Sequence, residues 1–149
     1  MILQGVAQRT APGTAISPHL LELERFPRLE GAHAIQARIY CENPSANFVP
    51  SPGLLQHVSF PSFEWLRVDT WIETGTVVSP FFDPLVAKVI VTGNNRDEAV
   101  QRLTQVLAET KVLGPPNNLE YLEAICRSET FKLGTASTTF LDSFQFIPR

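Results

Sequence analysis

Between His33 and Glu42 the chain alternates, with Ile35, Ala37 and Ile39 on one side and Gln36, Arg38 and Tyr40 on the other. A period of two is what a strand with one buried face requires, so these positions predict a strand that projects Arg38 away from the core. The run Leu85-Val86-Ala87-Lys88-Val89-Ile90-Val91 is too apolar to show both faces to water and predicts a central strand. Two further β-rich runs, 54–60 and 65–72, follow the turn-forming clusters Asn43-Pro44-Ser45 and Pro50-Ser51-Pro52-Gly53. Their hairpin-like spacing predicts antiparallel pairing, and Gly75 punctuates the passage to Val77-Val78.

Beyond Asn95 the period changes. Ala99, Leu103, Val106 and Leu107 recur at helical spacing, predicting an amphipathic helix over 96–110 packed on the sheet, with Asn95 and Glu98 as a capping box. Gly114-Pro115-Pro116 breaks the chain before a second helix from Asn118 to Arg127 and a shorter one from Thr138 to Phe144. At the other end, Met1 to Gln8 suits a helical turn or two. Ser17 and Pro18 then open a short helix to Glu24, which Pro27 ends. Strands first and helices after argue for an α+β fold, an antiparallel sheet packed with helices. Residues 1–30 read as a helical lead-in and 31–149 as one domain.

Composition narrows the chemistry. At 149 residues and 44% hydrophobic content the chain can bury one core. Twelve Lys and Arg against 15 Asp and Glu, with no basic face or polybasic run, argue against nucleic acid or a membrane as partner. No apolar run reaches the roughly 20 residues of a membrane span, and no signal core precedes the chain's first loop, so a cytoplasmic protein is expected. Cys41 and Cys126, remote in sequence and without metal-ligand spacing, read as reduced and buried. His19, His33 and His57 make no zinc set, Ser51 and Ser59 lack a nucleophile elbow, and no cofactor is expected. Phe60, Phe63, Trp65, Trp71, Phe81 and Phe82 form an aromatic-rich middle, most of it expected in the core.

Several ordered motifs carry a resemblance. The run Ala34-Ile35-Gln36-Ala37-Arg38-Ile39-Tyr40-Cys41-Glu42-Asn43-Pro44, the turn at Pro50-Ser51-Pro52-Gly53 and the segment Asp83-Pro84-Leu85-Val86-Ala87-Lys88 resemble the carboxy-terminal domain of biotin carboxylases over residues 31–142. Within that family Trp65-Leu66-Arg67-Val68-Asp69-Thr70 and the terminal Phe144-Gln145-Phe146-Ile147-Pro148 look most like the urea carboxylase branch of fungal urea amidolyases. The resemblance implies that the lead-in is the cut end of a helix arriving from an ATP-binding domain. It also makes Arg38 the active-site arginine that holds a biotin enolate or a bicarbonate-derived carboxyphosphate. A guanidinium suits that task, since it stays charged and offers planar, paired donors to an oxyanion. The bland alternative is a surface arginine paired with Glu42 or another acid.

Asp83 and Lys88 also fall in a family signature, though Asp-Pro starts turns and a strand-end lysine is commonly exposed. Two departures stand out. The glutamate that the family carries two residues before its arginine is Gln36 in this chain, which removes a negative charge beside Arg38. The later Gly-Ile-x-Thr-Asn signature is reduced to Gly114 and Asn118, which puts helix docking in doubt. No glycine-rich phosphate loop, no magnesium-holding acids and no Met-Lys-Met biotin motif are found, so the chain alone is expected neither to bind ATP nor to carboxylate biotin.

Three readings follow. The first is reuse of the cleft for a small organic molecule, as in a cofactor-free isomerase or cyclase. Arg38 then polarises a carbonyl, Gln36, Tyr40 and His33 line the rim of an apolar pocket with Asp83 and Lys88, and His33 is available as a base. The second is a fragment or split subunit of a urea carboxylase that needs an ATP-grasp partner. The third is a non-catalytic module that forms a homodimer through the segment containing Phe63 and Arg67.

Overall fold

A computed structural model describes Leu3–Gln4, as backbone, and residues 32–148. The spine is strand β9 (Leu85–Gly93), the long apolar run of the sequence. It lies between β2 (His33–Tyr40) and β7 (Leu66–Thr70), antiparallel to both, and β1 (Leu3–Gln4) adds to the far side of β2. The register explains the alternation. Ile35, Ala37 and Ile39 lie opposite Val91, Val89 and Ala87, which in turn lie opposite Leu66, Val68 and Thr70.

Helix α1 (Arg96–Glu109) covers that inner face with Ala99, Val100, Leu103, Val106 and Leu107. Ile39, Val89, Val91, Leu103 and Leu107 are all fully or almost fully buried, each contributing roughly 1.5–3 kcal/mol of burial. The predicted capping box forms, one residue wider than expected. Asn95 Oδ1 accepts from the Glu98 amide at 2.9 Å, and Glu98 Oε2 accepts from the Asn94 amide at 2.6 Å. A second helix, α2 (Leu119–Arg127), packs on α1, followed by the short α3 (Glu129–Lys132) and α4 (Phe140–Ser143). The terminal segment folds back, and Phe144 and Phe146 set their rings edge-on to Tyr121 of α2 at 5.8 and 5.4 Å.

The remaining strands make three small ribbons. These are β3 (Glu42–Asn43) with β4 (Val49–Pro50), β5 (Gly53–Leu54) with β8 (Val77–Val78), and β6 (His57–Ser59) with β10 (Lys111–Leu113). The predicted hairpin between runs 54–60 and 65–72 is therefore not made. β6 pairs with β10 and β7 with β9, because each run gains more by burying Val58 against Val112, or Val68 against Val89, than by meeting its sequence neighbour. The helical turn expected at Met1–Gln8 is likewise replaced at Leu3–Gln4 by strand. An isolated turn is marginal, and the open edge of β2 offers ready backbone partners. The helix from Ser17 to Glu24 and most of the lead-in lie outside the described residues. Aromatic burial also falls short of expectation. Phe60, Phe63 and Trp65 pack partly buried on the core, whereas Trp71, Phe81 and Phe82 are exposed, the last two by 87% and 80%.

The retained Gly114 has a steric reason. Its φ is +140°, and an added Cβ would stand 2.4 Å from the Leu54 carbonyl oxygen. Gly114→Ala is expected to lose roughly 2–3 kcal/mol in denaturant unfolding. Gly75→Ala, where a Cβ meets nothing within 4 Å, should lose less. The two cysteines are free and buried, and burial pushes their thiols up from the ordinary value of 9.0, Cys41 to about 11 and Cys126 to about 12, the latter helped by the charge of Glu123. The folded state therefore holds these protons longer than the unfolded chain does. The cysteine contribution to stability should be level from neutral pH to pH 9 and fall as pH rises towards 12, measured by urea titrations across that range.

Candidate functional site

The alternation that buries Ile35, Ala37 and Ile39 leaves Gln36 and Arg38 on the outer face of the sheet, among their cross-strand neighbours. Gln36 faces Ile90, which faces Arg67. Arg38 faces Lys88, which faces Asp69. Arg38 and Lys88 are thus like charges directly opposite each other, an arrangement that costs stability in a sheet. The acid in the row relieves it only in part, from the Lys88 side. Asp69 Oδ1 accepts from Arg67 Nε at 2.8 Å, and that bond, with the charges of Arg67 and Lys88, holds the carboxyl below its ordinary value. Asp69 also lies two strand spacings from Arg38, roughly 10 Å.

Arg38 itself is half-buried, and its Nε is the buried side-chain nitrogen that has no hydrogen-bond partner among the described residues. A buried donor left unpaired is expensive, which argues that something other than stability keeps it there. The surface-pair alternative with Glu42 is not what the chain adopts. Glu42 Oε1 accepts from Asn118 Nδ2 at 3.4 Å, and burial, reinforced by the charge of Asp83, raises its carboxyl above the ordinary value.

The other predicted residues divide. Lys88 joins Arg38, and Gln36 shares its face. Tyr40 sits just past a β-bulge between Ile39 and Tyr40, where its amide donates to Asn118 Oδ1 at 2.9 Å. His33 does not join them. It is exposed at the start of β2, opposite Gly93, and in the alternation it shares the phase of Ile35 and Ala37, opposite to that of Arg38. Asp83 is exposed and does turn-forming work, with Oδ1 accepting from the Leu85 amide at 2.9 Å.

Four hollows lined by described residues leave Arg38 out of their walls. One of 210 Å³ is lined by Lys88, Asp69 and Trp71, one of 340 Å³ by Pro44, Gly114 and Phe146, and one of 440 Å³ by Glu123, Phe144 and Ile147. A fourth, of 670 Å³, lies along α1 beside Cys126. None of these four has Arg38, Gln36 or Tyr40 in its lining, so the apolar pocket expected around those residues is not among them. Among the described residues no cluster of three or more His, Cys, Asp and Glu could hold a metal ion, and no helix is long and apolar enough to cross a membrane.

Sequence reasoning missed the place of Asn118 in this site. It was visible as a retained signature residue, but nothing local tied it to Arg38, 80 positions away. The docking of α2, placed in doubt by Pro115-Pro116, is intact, and Asn118 is fully enclosed beneath it.

Comparison with known proteins gives a consistent picture. The profile of the Biotin carboxylase C-terminal domain family matches residues 36–143. The chain is 50% identical over 115 residues to urea amidolyase of Saccharomyces cerevisiae, covering 77% of this chain and 6% of that protein. It is 40% identical over 113 residues to a putative urea carboxylase of Emericella nidulans, covering 76% and 9%. The crystal structure of the Kluyveromyces lactis urea carboxylase superposes with a TM-score of 0.75 at 47% identity, over 79% of this chain and 10% of that one. The biotin carboxylase domain of a thermophilic 2-oxoglutarate carboxylase, bound to bicarbonate, superposes at 0.73 with 28% identity, over 75% and 25%. The chain therefore spans a tenth or less of the length of the urea-metabolising relatives named.

The unpaired Nε and the Lys88 repulsion make Arg38 a stability cost. Replacing it with an apolar chain of similar reach, Arg38→Met, should raise the unfolding free energy by about 0.5–2 kcal/mol at low salt. The gain should shrink as salt screens the wild-type repulsion. A loss in the same urea titration would mean that Arg38 is a structural residue.

Proposed function

The chain belongs to the biotin carboxylase C-terminal domain family, and from that premise we propose that it is the anion-holding lobe of a urea carboxylase-type active site, working with an ATP-grasp unit. The observation that carries this reading is Arg38, whose buried Nε has no partner among the described residues and whose cross-strand neighbour is a second cation. Such a pair is costly until an oxyanion arrives. Bicarbonate, a carboxyphosphate derived from it or a biotin enolate would take the Nε proton as a hydrogen bond and neutralise the Arg38–Lys88 repulsion. Among the described residues the acids nearest in the sheet are engaged elsewhere, which keeps the charge available. Asp69 is tied to Arg67, Glu42 to Asn118, and Gln36 stands where the family carries a glutamate.

In this reading ATP and its metal ions are held by the ATP-grasp unit, because the sequence carries no phosphate loop or magnesium-holding acids and the described residues form no metal-binding cluster. Biotin, when presented, supplies the nucleophilic nitrogen. This chain's part is to hold and orient the anion. A cytoplasmic location belongs to the same reading.

Reuse of the cleft as an isomerase or cyclase would need an enclosed apolar pocket around Arg38, Gln36 and Tyr40, and the four hollows described lie elsewhere. The dimer-module reading draws on exposed Arg67 and on half-buried Phe63, whose ring stacks on Trp65 at 4.3 Å.

The test is ADP release dependent on bicarbonate and biotin, using the chain together with the ATP-binding portion of the K. lactis urea carboxylase. The chain alone should release no ADP. In the mixture, Arg38→Ala should lower kcat by about 10²–10³, as expected for removing one oxyanion donor, with Lys88→Ala falling between it and wild type. Turnover by Arg38→Ala equal to wild type would end this reading.

A further inference from the structure

We propose that Asn118 is the positioning residue for Arg38, acting through the backbone of β2; this rests on the reading of Arg38 as the anion holder. Strand β2 has β9 along one edge, but β1 covers the other edge only at Ile35 and Gln36. Past Gln36, the edge that carries Arg38 and Tyr40 has no partner strand among the described residues. Among the described residues Asn118 fills that place. Its Nδ2 donates to the Arg38 carbonyl at 3.2 Å, its Oδ1 accepts from the Tyr40 amide at 2.9 Å, and its own amide donates to the Tyr40 carbonyl at 3.1 Å.

Where Asn118 stands makes this arrangement informative. It occupies the position before α2, where an asparagine ordinarily turns its side chain back to cap its own helix. Asn118 makes no such cap bond, and its neighbour Asn117 takes the Leu119 amide instead at 3.2 Å. Helix capping has been given up so that a side chain only 2% exposed can hold the strand.

The strand needs holding at that point. The register slips between Ile39 and Tyr40, one residue beyond Arg38, with Val86 of β9 as the extra residue, and such an irregularity changes the aim of nearby side chains. The Arg38 Nε has no hydrogen-bond partner among the described residues, so the placement of the guanidinium leans on the backbone that carries it. Asn118 brackets that backbone on both sides of the irregularity.

The experiment follows the Arg38 Nε–Hε resonance of the full chain by NMR during titration with sodium bicarbonate, in wild type, Arg38→Ala, Asn118→Ala, Asn118→Asp and Leu122→Ala. Leu122 is buried in the same helix and serves as a control for simple loss of stability. Wild type should bind. Asn118→Ala, measured at a temperature where it is folded, should shift the free Nε resonance and weaken bicarbonate binding by at least about tenfold, as misplacing a binding group does. Leu122→Ala should keep wild-type affinity. Asn118→Asp, which keeps the acceptor for Tyr40 and loses the donor to Arg38, should lie between and serves if the alanine variant fails to fold.

Wild-type affinity in the Asn118 variants, with binding lost in Arg38→Ala, would overturn the positioning role and leave the functional reading standing. Equal loss in Leu122→Ala would also overturn it, by making the effect one of stability. No bicarbonate response in wild type, or an unchanged affinity in Arg38→Ala read from the Lys88 amide, would remove the functional reading and the positioning role together.

Discussion

The antiparallel ladder between β2 and β9 is the constraint on which the rest depends. Its register puts Ile35, Ala37 and Ile39 against Val91, Val89 and Ala87 on one face, and the same register necessarily puts Arg38 against Lys88 on the other. A slip of one residue would reverse both faces at once, exposing the aliphatic row and burying the cations. Core and candidate site are therefore one decision. The helix α1 rewards it by sealing the apolar side, and β7 extends it by adding Val68 inside and Asp69 outside.

The outer face differs from an ordinary solvated surface. Surface cations usually find acids or water, whereas the described acids Asp69 and Glu42 are engaged with Arg67 and Asn118, and the Arg38 Nε is out of solvent. Local rules are broken there without compensation from the described residues, and such places are where function is most often found. The contrast with Arg96 and Arg102 is instructive. Both lie on α1, and each is satisfied. Arg96 bonds the carbonyls of Lys132 and Phe131, and Arg102 pairs with Glu98 while lying 4.9 Å over the Trp65 ring. The fold satisfies arginines where they serve the fold.

Much of this was legible along the chain. The strand carrying Arg38, the central strand through Lys88 and the helix after Asn95 each announce themselves by period, and the Arg38 and Asp83-to-Lys88 motifs point to the family. What misled was proximity in sequence. Runs 54–60 and 65–72 look like a hairpin because they are neighbours, yet each found a better partner at a distance. His33 looked like a site residue because it adjoins the Arg38 strand, but strand phase sends it elsewhere. Phe81 and Phe82 looked like core because they are aromatic, although the turn made by Asp83 leaves them outside.

The sequence by itself determined which residues form strands and helices, which side of β2 is apolar, and which family motif surrounds Arg38, because periodicity and capping act over a few residues. Only the tertiary structure decided that Lys88 would stand opposite Arg38, that Asp69 would be taken by Arg67, and that an asparagine before a distant helix would hold the strand between them. Those outcomes depend on which unpaired backbone edges and charges meet once the core has closed, and no local pattern records that meeting.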